Sequence, residues 1–123
     1  MLPLAVLALV VQAAPAATPG RVAECAALAT SAEKPVTVRG RLYAANGGGS
    51  GFRLWIVGTT RIVWLTAKID PAVPDAVHQA FTPFSEELYG TFTLVPLRPD
   101  TPGVMREVCL VSGQHLTRRK ARH

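Results

Sequence analysis

Charge is scarce in this chain. Asp, Glu, Lys and Arg make up 17% of its 123 residues, while hydrophobic residues make up 49%. That balance excludes a charge-extended disordered chain and favours a packed core. Histidine is equally sparse: His78, His115 and His123 are scattered, with no H-x-x-x-H pair. Cysteine occurs twice, at Cys25 and Cys109, with no C-x-x-C. A zinc site therefore has no ligand set, and no metal or cofactor is expected. The only adjacent carboxylates are Glu86 and Glu87. On a strand they point to opposite faces and make a poor acid/base pair. Gly48-Gly49-Ser50-Gly51-Phe52 looks like a nucleophile elbow, but it lacks the final glycine and a following helix. It also lacks the lysine of a phosphate-binding loop. The expectation is a protein without catalysis.

No apolar run reaches the roughly 18–20 residues of a membrane-spanning helix. What is there is shorter. Leu4 to Val11 is an unbroken apolar run, and Ala14-Pro15-Ala16 follows as a small-residue cleavage signature. This reads as a secretory signal peptide over residues 1–16, with no transmembrane segment once it is removed. The n-region lacks Lys and Arg, so an uncleaved anchor is the competing reading. The predicted location is periplasmic or secreted. The net charge of +5 is also unevenly placed: Arg118, Arg119, Lys120 and Arg122 fall in the last six residues. Without them nine basic residues face eight acidic ones, so the body is nearly neutral. Residues 118–123 read as a basic tail that could hold phosphates or anionic lipid. More often such a run is a frayed, solvated terminus.

Residues 17–117 form the expected domain. In the Ala-rich stretch Arg21 to Thr30, Val22, Cys25, Ala26, Leu28 and Ala29 share one face of a short helix that ends near Ser31. Pro35 stops it. Val36 to Tyr43 alternates apolar and polar residues as a strand, with Gly40 marking a bulge or sharp coil. Asn46 to Gly51 is a flexible glycine-rich loop. Phe52 to Val57 and Arg61 to Thr66 are strands joined at Gly58-Thr59-Thr60. The segment Asp70 to Glu87, with three prolines, leaves room for two helical turns at Asp75 to Phe81. Leu88 to Leu94 and Val104 to Val111 complete five strands, and Gly113 ends the last one.

Five strands with a helical segment between the third and fourth follow the order of an OB-fold, a five-stranded Greek-key barrel. An SH3-like barrel is the competitor, but it leaves Asp70 to Glu87 unexplained. Val36-Thr37-Val38-Arg39-Gly40-Arg41-Leu42 resembles the opening strand of many OB-fold domains. Leu54-Trp55-Ile56-Val57-Gly58-Thr59-Thr60-Arg61, Tyr89-Gly90-Thr91-Phe92-Thr93, Pro102-Gly103-Val104-Met105-Arg106 and Val108-Cys109-Leu110 extend the likeness. With these pieces the chain looks like a group of small, exported bacterial proteins of OB type. The resemblance implies a fold and a secreted location, and it brings no ligand.

An even cysteine count in an exported chain favours a disulfide between Cys25 and Cys109. Two buried thiols are the alternative. On the strands, Val36, Val38, Leu42, Phe52, Leu54 and Ile56 form the expected inner face. Arg39, Arg41, Tyr43, Arg53 and Trp55 then share the outside as a candidate ligand-binding surface. In the third strand both alternating sets are largely apolar, and its facing stays open. Arginine interleaved with aromatics suits single-stranded nucleic acid or sugars. A solvated or helix-covered face fits the same residues. The first functional reading is a binding module for a protein, an envelope component or another anionic ligand. The second is a single-stranded nucleic-acid-binding domain.

Overall fold

The computed structural model describes residues 19–30, 33–47 and 49–122. The signal peptide expected over residues 1–16 lies outside them. The elements run α1 (Pro19–Leu28), β1 (Val36–Ala44), β2 (Phe52–Ile56), β3 (Ile62–Leu65), α2 (Asp75–His78), β4 (Glu86–Pro96) and β5 (Arg106–Lys120). The five strands form one sheet that closes on itself in the order β1-β2-β3-β5-β4. All pairings are antiparallel except β3 with β5, where Val63, Trp64 and Leu65 run parallel to Arg106, Glu107 and Val108.

The first strand serves two neighbours. It pairs with β4 from Val36 to Leu42 and with β2 from Gly40 to Ala44. No bulge sits at Gly40: the β4 register passes through it unbroken, and the β2 register begins at it. The glycine is needed for space, because a Cβ there would come within 2.8 Å of the Leu54 side chain. The irregularities lie instead between β4 and β5, at Tyr89/Thr91 and Thr93/Leu94.

Inside the ring, Leu42, Leu54, Val63, Leu65, Leu88, Phe92, Leu94, Val108 and Leu110 pack together. Val73, Val77 and Phe81, from the segment carrying α2, join the same core. This settles β3: Val63 and Leu65 face inward, leaving Ile62 and Trp64 outside. Val38, Phe52 and Ile56 pack on the core while half-buried. Val36, expected inside, is 44% exposed. It pairs only with β4 and has no β2 residue beside it.

A second core lies outside the ring. Cys25, Ile69, Val95, Leu97, Cys109 and Val111 cluster there with Val22, Leu28 and Ala29 of the helical segment. Strand β5 is thus covered on both sides, which explains its unbroken run Val108-Cys109-Leu110-Val111. The Cys25–Cys109 disulfide is formed, with Cα atoms 5.5 Å apart. Arg21 ties α1 down further, donating through Nε to the Leu110 carbonyl at 3.0 Å and through a terminal nitrogen to the Ala72 carbonyl at 2.9 Å. Burial lowers its pKa, and Glu24 and Asp75 oppose that shift. The helix starts two residues before Arg21 and ends at Leu28, short of the expected end near Ser31. Thr30 leaves it to give both its N–H and its hydroxyl to the Leu97 carbonyl.

Two further expectations are corrected. The glycine-rich loop after β1 is tied down: Ser50 Oγ donates to the Leu65 carbonyl at 2.9 Å. Gly49, at φ +71°, lies so close to Trp64 that a Cβ would come within 2.4 Å of the indole. The last strand does not stop at Gly113. It runs to Lys120, pairing Arg118, Arg119 and Lys120 with Leu88, Glu87 and Glu86. Three of the four basic residues read as a free tail, Arg118, Arg119 and Lys120, are therefore rungs of the sheet, because β4 begins early enough to offer them backbone partners.

Candidate functional site

Register determines which outward side chains meet. Arg41 stands opposite Trp55 on β2 and Tyr89 on β4; Tyr43 stands opposite Arg53. Arg53 in turn faces Trp64, and Trp55 faces Ile62. On the far side Tyr89 faces Thr117 and Glu87 faces Arg119. Directly opposed side chains in a sheet are about 4.5–5.5 Å apart at Cβ. The result is a chequered surface in which arginines alternate with aromatic rings across the strands.

Arg41 is at its centre. Its guanidinium carbon lies 5.0 Å from the Tyr43 ring centroid and 5.1 Å from that of Trp55. Both distances fall within cation–π range. The Trp55 indole is latched by its own N–H, which donates to the Thr59 carbonyl at 2.7 Å. Arg119 repeats the arrangement over Tyr89 at 5.5 Å. One carboxylate serves this surface: Glu87, almost fully buried, lies 3.9 Å from Arg41 and 3.6 Å from Arg122. Arg122 also donates to the Tyr89 hydroxyl at 3.1 Å. The Arg41 Nε is buried without a hydrogen-bond partner, so the cation is held by rings and by a distant charge. Arg39 is exposed opposite Thr91, and Arg53 is half-buried and donates to the Phe52 carbonyl. Around Glu87, five arginines of the described residues thus share the outward face: Arg39, Arg41, Arg53, Arg119 and Arg122.

All five residues expected from the strand alternation fall on this one face. Trp55 does not lie under the helix; α1 packs on β5. Arg41 contacts both Tyr43 and Trp55, Arg53 stands opposite Tyr43, and Arg39 flanks them one alternation along the strand. The sequence reading missed Tyr89, Glu87, Trp64, Arg119 and Arg122. Tyr89 carried a usable signal, since it alternates with Leu88 and Phe92. The pairing of β4 with β1 that delivers it was not readable.

A second concavity lies along β3 and the loop before β5. A groove of about 300 Å³ is lined by Trp64, Pro99, Val104 and Met105, with Arg98 and Glu107 in its wall. Its charges are already matched, Arg98 to Glu107 at 3.1 Å and Arg106 to Glu33. Beside it, Arg61 binds Asp100 through two hydrogen bonds of 3.0 and 2.6 Å. That contact raises the arginine pKa and lowers the carboxylate's. Among the described residues no group of three or more His, Cys, Asp and Glu is placed to hold a metal ion. None of their helices is long and apolar enough to cross a membrane. No protein-family model, curated protein or solved structure matches the chain.

Proposed function

We propose that this is a non-catalytic binding module of OB type, working outside the cytoplasm on an extended anionic partner. An acidic envelope polymer or an acidic protein segment has the required chemistry. The ring order β1-β2-β3-β5-β4, with α2 between β3 and β4, supports the OB assignment. The Cys25–Cys109 bond supports an oxidising compartment, as does the apolar leader of the sequence.

The observation that carries the reading is the Arg41 guanidinium seated between Tyr43 and Trp55. The rings hold Arg41 in place, and Arg39 and Arg53 stand beside it on the same face. An arginine that is already positioned loses less side-chain entropy when it meets a carboxylate, sulfate or phosphate. The same geometry ranks the single-stranded nucleic-acid reading second. Arg41 occupies a face of both rings, and that is where a base would stack.

Titration with a sulfated oligosaccharide and with a single-stranded oligonucleotide, each at rising salt, separates the two readings. Comparable affinities that fall together with salt support the anionic-partner reading. An oligonucleotide that binds more than about tenfold tighter, with its advantage surviving salt, supports the nucleic-acid reading.

A further inference from the structure

The turn into β4 holds a residue its backbone does not favour. Phe84 has φ +70°. It follows Pro83 in a turn closed by Glu86 N–H to the Thr82 carbonyl at 2.9 Å. The bond spans one residue more than a β-turn, and a φ in the left-handed region is one that glycine or asparagine adopts readily. For a bulky residue that conformation is strained. The ring is not repaid by burial, because Phe84 is 60% exposed. Thr82 N–H is fixed by Glu86 Oε1 at 2.7 Å and the Ser85 carbonyl by Ala121 N–H at 3.0 Å, so the turn is rigid.

The end of the sheet next to this turn is basic. The last rungs of the sheet place Arg118, Arg119 and Lys120 beside Leu88, Glu87 and Glu86. Arg122 and Phe84 line the same shallow pocket with Tyr43. Four cations therefore meet two carboxylates at this end. Both carboxylates are engaged locally, Glu87 by Arg41 and Arg122 and Glu86 by the Thr82 amide. Arg118 and Lys120 are exposed. They alternate with Arg119 along β5 and make neither of the two ring stacks.

We infer that this end docks on an anionic lipid surface, with Phe84 inserting at the headgroup boundary and Arg118 and Lys120 on lipid phosphates. An apolar side chain held out at the basic end of the sheet provides the two signals that peripheral membrane attachment needs, apolar insertion and charge. The site adjoins the Arg41 face through Tyr43, Glu87 and Arg122, but Phe84, Arg118 and Lys120 take no part in the Arg41 stack, so either proposal can fail without the other.

The test is co-sedimentation of the full chain with phosphatidylglycerol/phosphatidylcholine vesicles and with phosphatidylcholine vesicles. Binding to the anionic vesicles alone is expected. Phe84→Asn should weaken it by about tenfold or more. That variant suits the positive φ, so its urea midpoint should hold or rise, and loss of folding cannot explain loss of binding. Replacing Arg118 and Lys120 by glutamine should cost roughly fivefold for each charge. Phe84→Trp should gain fluorescence quenched by brominated lipid. Equal binding of native protein and Phe84→Asn overturns the proposal. So does failure of the native protein to sediment with anionic vesicles. Capture of soluble inositol hexakisphosphate without vesicle binding overturns it as well, leaving a simple anion site.

Discussion

Replacing Cys25 and Cys109 together by alanine tests how the helix is attached. The bond closes a loop spanning a sequence separation of 84. The chain-entropy relation for a loop of that length gives about 4.6 kcal/mol at 25 °C, held as restriction of the unfolded state. A single domain of this size has total stability of about 5–15 kcal/mol, so the bond carries a large share. Alanine is preferred to serine because both positions are fully buried and a hydroxyl would add an unsatisfied group. Urea unfolding should report a loss near that figure, and a thermal midpoint lower by roughly 20–30 °C. The Arg21 hydrogen bonds to the Leu110 and Ala72 carbonyls should keep α1 docked in the native state. Circular dichroism before the transition should therefore be unchanged. A loss under about 1 kcal/mol would refute the reasoning, because the unfolded chain would then gain almost no freedom from the cut.

Gly40→Ala should cost about 1–3 kcal/mol by driving a methyl into Leu54. In a Leu54→Ala background, itself about 2–5 kcal/mol less stable, the same change should cost far less. Equal costs in the two backgrounds, measured by urea denaturation, would show that the contact does not limit residue size there. The Arg61 contact holds the Asp100 pKa below its ordinary value. Its contribution is therefore present above about pH 4 and fades as the pH falls through the lowered value. Asp100→Asn should remove this part of the acid limb, and salt should shrink the difference because the pair is exposed. An unchanged acid limb at low salt would count against the pair.

The order of elements was legible in the sequence because each strand carries its own alternation and each break its own proline or glycine. The outward set Arg39, Arg41, Tyr43, Arg53 and Trp55 was legible for the same reason, as a property of two strands joined by one short loop. What lay beyond it depended on long-range register. Nothing local says that Tyr89 faces Arg41, since their partnership exists only when the sheet closes. The extension of β5 was hidden by its composition. Gln114 to Lys120 contains one aliphatic residue, Leu116, and its backbone partners come from β4. His115, at φ +54°, lies in the irregular stretch that disturbs the period-two pattern there. Phe84 was invisible as a special residue because strain belongs to the turn it occupies.

The central claim is that the arginines flanking the Arg41 stack bind an anionic partner. Its most direct measurement is the affinity of a sulfated oligosaccharide for the native protein and for Arg39→Ala/Arg53→Ala, at one salt concentration and with urea midpoints recorded for both. A charged hydrogen-bonding group is worth about 1.5–3 kcal/mol, so each arginine should contribute roughly tenfold. A loss of about a hundredfold is expected, with little change in midpoint. An affinity equal to that of the native protein would contradict it, leaving the arginines and rings as a structural surface of the sheet.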